Sequence, residues 1–254
     1  MYIFFLKKNL TFNKVEDYLM SSPIEIYRNP KVWNESVWMF LYCIGSTCPT
    51  NPTKKDVKMY NLFIHYFYTV LPCSICKSYF EKFLEKNSIA TAVQKNRLLA
   101  FMIRLRNYVM KHYGETEKVT IRDIENDLST KCFQQTKPMT IKNPKIWGNH
   151  AWLFLHCSSF NYPKFPTDTE KKNYHEFLKT LHCVLPCKLC RRHLQEYMEA
   201  TPIEPFLQKR ESYIKYIIAL HNHVNEKFNK KQRITLKQAK ESIYQNCLEQ
   251  YQKK

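Results

Sequence analysis

Glycine is scarce in this chain, with 3 residues among 254. The tight turns that join antiparallel strands often need glycine, because their backbone conformations are strained for other residues. So few glycines argue against a many-stranded sheet, and the long segments are instead rich in Leu, Lys, Glu, Gln and Ile, most of which are strong helix formers. The sequence therefore predicts an all-α protein.

Long apolar runs are also missing. The apolar start, residues 2–6, is followed by two lysines and is shorter than the apolar core of a secretory signal, and no stretch approaches the roughly 20 apolar residues of a membrane span. We therefore expect neither a signal peptide nor a membrane-spanning helix. Ten cysteines are then unexpected, because a reducing compartment disfavours structural disulfides and favours metal-binding or redox-active cysteines.

Acidic residues are outnumbered by basic ones, 22 against 40, which gives a formal net charge of +18. Such a charge attracts nucleic acid or acidic partners. The basic residues are, however, spread through both halves of the chain and form no long block. We therefore interpret them as a solvated, lysine-rich surface and expect no specific nucleic-acid partner.

An internal repeat organises the chain. Residues 29–33 read NPKVW and residues 143–147 read NPKIW, and this offset of 114 continues without a gap to a Pro-Cys-x-x-Cys motif in each copy. Beyond the motif the offset becomes 115, which one inserted residue explains. The repeat predicts a leader over residues 1–28 and two homologous modules over residues 29–135 and residues 143–254.

The second module is predicted to contain five helices. Ile217, Leu220 and Val224 recur at the three- and four-residue steps of an amphipathic helix, and Thr235 is placed to cap the last helix. Each module is thus expected to be a four-helix bundle with one added helix. The predicted helices of the second module cover residues 145–160, 171–185, 187–200, 204–229 and 236–250.

The Pro-Cys-x-x-Cys motif of the second module has the geometry of a redox centre. Pro186 favours the first turn of a helix and so places Cys187 and Cys190 near the helix N-terminus, where unpaired N–H groups and the helix dipole lower a thiol pKa. Cysteines at this spacing can also close a disulfide. The alternative is half of a zinc site, but the homologous pair in the other module is not at the usual zinc-ribbon spacing. We therefore predict a redox pair and no metal.

Two helices add candidate binding groups. Trp152 and His156 are four residues apart, as are His221 and Asn225, so each pair shares one face of its helix. A single histidine on a helix is more often a core or surface residue. The occurrence of these groups together with a redox pair favours a functional role.

Taken together, these motifs resemble the Erv/ALR family of FAD-linked sulfhydryl oxidases. They occur in the order and rough spacing of that family over residues 143–231. The matching motifs are Trp147-Gly148, Trp152-x-x-Leu155-His156, Tyr162-Pro163 followed by Pro166-Thr167, Pro186-Cys187-x-x-Cys190, and His221-Asn222-x-Val224-Asn225 with Lys230.

The resemblance implies a helical bundle that holds FAD beside the cysteine pair, with Cys190 nearer the flavin and Cys187 exchanging with incoming thiols. The implied reaction oxidises two thiols of a protein substrate to a disulfide, and the electrons pass through FAD to oxygen to give hydrogen peroxide. The implied cofactor contacts come from Trp147, Gly148, Trp152, His156, Tyr174, His221, Asn222, Val224, Asn225, Lys227 and Lys230.

The first module departs from this pattern. Its cysteine pair remains, but Tyr42, Arg106 and Met110 replace the two histidines and the last asparagine of the motifs above. We therefore expect one FAD per chain and a first module that serves as a packing partner. Two fused copies can pack as an intramolecular pseudo-dimer, and a further homodimer is compatible with this arrangement.

The tandem arrangement resembles the sulfhydryl oxidases of large DNA viruses, especially the baculovirus type. On that resemblance, the substrates are viral structural or assembly proteins, oxidised in the host cytoplasm or the virion; the mitochondrial intermembrane space is the alternative. The repeated cysteines outside the motifs suggest bonds of Cys43 with Cys132 and of Cys157 with Cys247. Buried thiols that behave as small apolar side chains are an equal alternative.

Overall fold

The computed structural model describes residues 23–134, 139–231 and 233–252, with side chains described over residues 26–134, 139–231 and 233–246. These residues form helices, turns and bends and no β-strand, which confirms the all-α prediction. The first part of the chain contains α1 (Pro23–Arg28), α2 (Pro30–Ser46), α3 (Lys54–Thr69), α4 (Ser74–Lys86), α5 (Ile89–Gln94), α6 (Leu98–Lys111) and α7 (Ile121–Phe133). The second contains α8 (Pro144–Phe160), α9 (Asp168–Val184), α10 (Lys188–Ala200), a 3-10 turn (Glu204–Gln208), α11 (Arg210–Lys227) and α12 (Leu236–Gln252).

Local sequence sets where the helices begin. The Asn143 side chain accepts a hydrogen bond from the Lys145 N–H at 3.0 Å, with a proline in the first turn of α8. Thr235 caps α12 as predicted: its Oγ1 accepts from the Gln238 N–H at 3.2 Å, and the Gln238 side chain accepts from the Thr235 N–H at 2.9 Å. This reciprocal pair satisfies two backbone donors that a helix start otherwise leaves unpaired.

The prediction of a single helix over residues 204–229 is wrong, because the helix is interrupted at Lys209. That residue is extended, with φ −160° and ψ 157°. The carbonyl of Leu207 accepts a hydrogen bond from the Tyr162 hydroxyl at 2.8 Å instead of continuing a helical ladder. A tertiary contact thus ends the 3-10 turn, and α11 starts afresh at Arg210.

The two modules pack through equivalent helices, α2 against α8 and α3 against α9. Residues that the repeat relates meet one another across this contact. Phe63 stacks on Phe177 with ring centroids 6.1 Å apart, and the Ser36 Oγ lies 3.0 Å from His150 Nδ1. A position that touches its own counterpart is the mark of an isologous interface, so the expected intramolecular pseudo-dimer is confirmed.

One apolar core runs through both modules. The Ser158 hydroxyl donates to the Val70 carbonyl at 3.0 Å between the modules, and α1 packs on α8, where Tyr27 stacks on Phe160 at 4.7 Å. Most of the predicted leader, residues 1–22, lies outside the described residues. None of the helices in the described ranges combines the length and apolarity needed to cross a bilayer.

The repeated cysteines outside the motifs are only partly described. Cys43 and Cys132 are separate buried thiols, which is the alternative to the suggested bond. Burial, and then the nearby Cys132, raises the pKa of Cys43 to about 12. The Cys247 side chain lies outside the described ones, so its bond with Cys157 stays a prediction.

Candidate active site

The Cys187/Cys190 pair sits at the start of α10. Cys187 is the N-cap, with its Sγ accepting a hydrogen bond from the Cys190 N–H at 3.1 Å. The Cys187 side chain is partly exposed, whereas Cys190 is buried. The proline before the pair favours this helix start. The structure thus has one thiol facing solvent and one behind it.

The two thiols differ in acidity. A hydrogen bond from the Cys190 thiol is the main cause that lowers the pKa of Cys187 to about 6; backbone N–H groups and Arg191 add to it, and burial opposes it. The same contact, together with burial, raises the pKa of Cys190. Arg191 is held in place by its Nε donating to the Leu185 carbonyl at 2.6 Å. Cys187 is therefore the thiolate at neutral pH.

A cleft of about 570 Å³ opens between α8, α11 and α12, which is in the usual size range for small-molecule sites. Since α11 packs against both α8 and α10, one helix connects the cleft to the cysteine-bearing helix. Within the described ranges, no three His, Cys, Asp or Glu side chains are grouped as a metal site requires. The lining residues are Ser36, Asn149, His150, Trp152, Leu153, His156, His221, Asn225, Lys230, Lys231, Ile234, Gln238, Ala239, Ser242 and Asn246.

Two imidazoles and an indole form one unit in the cleft. Trp152 stacks on His221 with centroids 3.9 Å apart and planes within 4°, and His156 Nε2 shares a 3.0 Å hydrogen bond with His221 Nδ1. Burial lowers the pKa of His156 to about 4. Burial, His156 and Lys230 lower the pKa of His221 to about 3. Both rings are therefore neutral at pH 7.

One ring nitrogen of His156 is not hydrogen-bonded within the described part of the chain. Its Nδ1 is buried and has no hydrogen-bond partner among the described residues. A buried polar atom without a partner costs free energy, and here it lies in a residue that lines the cleft. A ligand in the cleft can supply the missing hydrogen bond.

Five of the predicted contact residues meet in this cleft, on α8, on α11 and in the segment after α11. The sequence did not point to the α12 residues, because that helix carries no recognised motif. The available signal was the four-residue spacing of Gln238, Ser242 and Asn246, which places them on one face. The predicted residues that do line the cleft are Trp152, His156, His221, Asn225 and Lys230.

Three other predicted contacts lie in the core. Trp147 is buried and stacks on Phe40 at 6.0 Å. Tyr174 is buried edge-on against Tyr162, with centroids 4.6 Å apart. Val224 is partly buried and packs against the apolar core. None of the three lines the cleft as described, so their contact with a cofactor stays a prediction.

Two polar residues of the predicted set are engaged elsewhere. The Asn222 amide clamps the chain before α12: Nδ2 donates to the Ile234 carbonyl at 2.9 Å, and Oδ1 accepts from the Ile234 N–H at 2.6 Å. Lys227 lies 3.6 Å from the Glu196 carboxylate on α10. Asn222 thus positions a segment that lines the cleft, and for both residues the cofactor contact stays a prediction.

Gly148 leaves open space one helical turn before Trp152. A Cβ added there would have the Pro144 Cβ, at 3.9 Å, as its nearest side-chain neighbour. In the first module the matching residue is Asn34, whose Nδ2 donates to the Met110 Sδ at 3.4 Å. The position that is open in the second module is therefore filled by side chains in the first.

At the other corresponding positions the first module carries larger side chains. Arg106, at the position of His221, pairs with Glu115 at 2.6 Å and donates to the Glu117 carbonyl. Tyr42, at the position of His156, is buried. Arg106 thus finds its partners within the first module, which has the fold of the second without its cleft-lining groups.

Comparison with known proteins agrees with this geometry. A sequence profile of the Erv1 / Alr family matches the chain twice, over residues 35–129 and residues 149–245. The chain therefore belongs to the Erv1 / Alr family, and the resemblance noted from the motifs is confirmed.

Individual relatives match about one module in length. A protein of Acanthamoeba polyphaga mimivirus named as a probable FAD-linked sulfhydryl oxidase is 34% identical over 102 residues, which is 40% of this chain and 71% of that protein. The mitochondrial FAD-linked sulfhydryl oxidase of Schizosaccharomyces pombe is 31% identical over 107 residues, 40% of this chain and 59% of the yeast protein. An FAD-linked sulfhydryl oxidase of African swine fever virus is 31% identical over 85 residues, 34% of this chain and 70% of that protein.

Proposed function

We propose that this protein is an FAD-dependent thiol oxidase and that its second module carries the reaction. The observation that carries the proposal is the difference in exposure and acidity between two neighbouring cysteines. Cys187 is a partly exposed, acidic thiol at a helix N-terminus, and Cys190 is a buried thiol behind it. A dithiol of this kind exchanges with substrate through one sulfur and passes electrons on through the other.

The cleft residues suit FAD. The stacked Trp152 and His221 present flat surfaces to a ring system, and the unpartnered Nδ1 of His156 offers a hydrogen bond. Lys230 and Lys231 are exposed at the same cleft and offset the charge of a pyrophosphate. When bound, FAD supplies an acceptor for two electrons, which oxygen then takes to give hydrogen peroxide.

The exchange begins on the disulfide form of the pair. A substrate thiolate attacks the Cys187 sulfur, since this is the exposed one, and the bond to Cys190 breaks. The second substrate thiol then attacks the substrate sulfur of the mixed disulfide. Cys187 leaves as a thiolate, and its low pKa makes it the better leaving group. The substrate gains a disulfide, and the pair holds two electrons more.

The partners of this reaction are protein substrates with thiol pairs, and oxygen. The named relatives come from viruses and from mitochondria, and the tandem form favours a viral oxidase. Its substrates are then structural or assembly proteins in the host cytoplasm or the virion, where disulfides need a dedicated catalyst. The mitochondrial intermembrane space is the alternative compartment.

Serine substitutions test the reaction. Cys187→Ser and Cys190→Ser are each expected to abolish oxygen consumption with a dithiol, because each removes one sulfur of the exchange, while flavin absorbance of the purified protein remains. Cys183→Ser, a partly exposed thiol just before the motif, is the control and keeps its activity. Full turnover in either motif variant would show that the pair is not the redox centre.

A second experiment counts flavins. We expect one FAD per chain, because the first module carries Tyr42, Arg106 and Met110 at the matching positions. His221→Ala is expected to remove most of the flavin, since it removes the stacking partner of Trp152. Arg106→Ala, the matched change in the first module, leaves the flavin content unchanged. A ratio near two, or flavin lost in the Arg106 variant, would show a second flavin site.

A further inference from the structure

The first module keeps a cysteine pair that the flavin reaction above does not use. Cys73 and Cys76 are joined as a disulfide at the start of α4. Cys73 is the N-cap, and its Sγ accepts from the Cys76 N–H at 3.1 Å, just as Cys187 does in the second module. The backbone N–H contact to the first sulfur is therefore repeated at Cys73, in the module that lacks the cleft-lining groups of the second.

The Tyr113 phenol lies beside this disulfide. The Tyr113 hydroxyl lies 3.0 Å from the Cys76 sulfur and 3.4 Å from the Cys73 sulfur. A disulfide carries no hydrogen, so the phenol is the donor. The matching residue in the second module is Phe228, which has no hydroxyl. The hydrogen bond is thus particular to the module without the flavin-lining groups.

A purely structural role explains the pair poorly. Its sulfurs are only three residues apart in sequence, and a disulfide that closes so short a loop restricts the unfolded chain less than one that closes a long loop. The pair lies just beneath the surface, next to exposed residues. Cys73 is 9% exposed, and the adjoining Ile75 and the capping Tyr113 are 58% and 42% exposed.

We propose that Cys73 and Cys76 form a second, flavin-independent thiol–disulfide exchange site for protein dithiols, in which the Tyr113 hydroxyl stabilises the Cys76 thiolate formed on reduction. A substrate thiolate attacks the outer Cys73 sulfur, a new S–S bond forms, and Cys76 leaves as a thiolate that accepts the phenol hydrogen bond. The second substrate thiol then attacks the substrate sulfur and releases Cys73.

The exchange needs no other oxidant or reductant. Two electrons and two protons pass from the substrate dithiol to the Cys73/Cys76 pair, and the substrate gains the disulfide that the pair loses. The reverse reaction returns a disulfide to the pair from another protein disulfide. The site therefore moves disulfides between proteins, and the exposed Ile75 beside it offers an apolar contact to a substrate segment.

The test uses the full chain with Cys187→Ser and Cys190→Ser, so that its outcome does not depend on the flavin reaction. The protein is equilibrated in glutathione buffers of varied ratio, and alkylation with mass spectrometry reports the Cys73/Cys76 state. We expect the pair to open and close with the ratio while circular dichroism shows an intact fold. A disulfide that stays closed until the chain unfolds would overturn the proposal.

Tyr113→Phe in the same background tests the phenol. Loss of one hydrogen bond to a thiolate is expected to make the pair about two- to tenfold harder to reduce. Tyr79→Phe is the matched control, because its ring packs edge-on against Tyr113 and no hydrogen bond joins it to either sulfur. An unchanged equilibrium in the Tyr113 variant, or an equal shift in both, would refute the role of Tyr113.

A trapping experiment tests which sulfur exchanges. In the same Cys187→Ser and Cys190→Ser background, with a disulfide-bonded peptide as probe, Cys76→Ser is expected to accumulate a mixed disulfide at Cys73, because no second thiol remains to resolve it. Cys73→Ser leaves the more deeply buried Cys76, which is 3% exposed, and traps little peptide. No adduct with Cys76→Ser, or equal adducts with both variants, would contradict the assigned order.

Discussion

Mild acid is expected to destabilise this protein through His156, and the structure sets the size of the effect. Its side chain is 4% exposed, and burial lowers its pKa from 6.5 to about 4. The His156 imidazole is therefore protonated near pH 6.5 in the unfolded chain, but only near pH 4 in the folded chain. The free energy of unfolding is therefore unaffected by His156 above pH 6.5, and it decreases as the pH falls toward 4.

The magnitude follows from proton linkage. Between about pH 7.5 and about pH 4.5, a group with these two pKa values removes about 2.5 kcal/mol from the free energy of unfolding. Urea unfolding of the full chain at both pH values measures the total change, to which acidic residues also contribute. The difference between wild type and His156→Gln reports the titration of His156 together with its effect on the hydrogen-bonded His221, because glutamine retains hydrogen-bonding groups and does not titrate.

The control is His112→Gln, a change at an exposed residue outside the cleft. We expect the wild type to lose about 2 to 3 kcal/mol more than His156→Gln over this pH range, and His112→Gln to behave as the wild type. Equal pH dependence in wild type and His156→Gln would refute the reasoning, since it would mean that the buried imidazole does not resist protonation.

Two further predictions concern packing. Phe63→Ala removes a fully buried ring from the contact between modules and is expected to cost about 3 to 5 kcal/mol in urea unfolding; Phe133→Ala, at a ring that is 69% exposed, should change it by less than about 0.5 kcal/mol. Asn222→Ala breaks the clamp on Ile234, so it should lower both stability, by about 1 to 3 kcal/mol, and flavin content. Asn107→Ala breaks the equivalent clamp in the first module and should lower stability alone; flavin loss in both variants would contradict this division.

The helix-start position of the cysteine pair could be predicted from the sequence because it is local. Proline before Cys187 and the two-residue spacing to Cys190 determine a helix start, and a helix start determines which sulfur accepts backbone N–H groups. The internal repeat could also be predicted from the sequence, and it implied a pseudo-twofold contact between the two modules. In both cases the relevant groups lie within one turn or at one constant offset.

The polar residues of the cleft were less predictable. Asn222 follows His221 directly in sequence, yet its amide faces the Ile234 backbone twelve residues further on. Lys227 turns to Glu196 on a neighbouring helix. A motif states which residue types occur together, but the partner that a polar side chain takes depends on which elements pack beside it.

The sequence by itself determined the all-α class, the internal repeat, the Pro-Cys-x-x-Cys motif in each copy and the loss of histidines from the first copy, because propensity, periodicity and spacing are properties of neighbouring residues. Only the tertiary structure decided that the Leu207 carbonyl accepts from Tyr162 and interrupts a predicted helix, that α12 completes the cleft, and that Tyr113 lies against the Cys73–Cys76 disulfide. Each of these contacts joins residues far apart in the chain, and packing alone brings them within hydrogen-bonding distance.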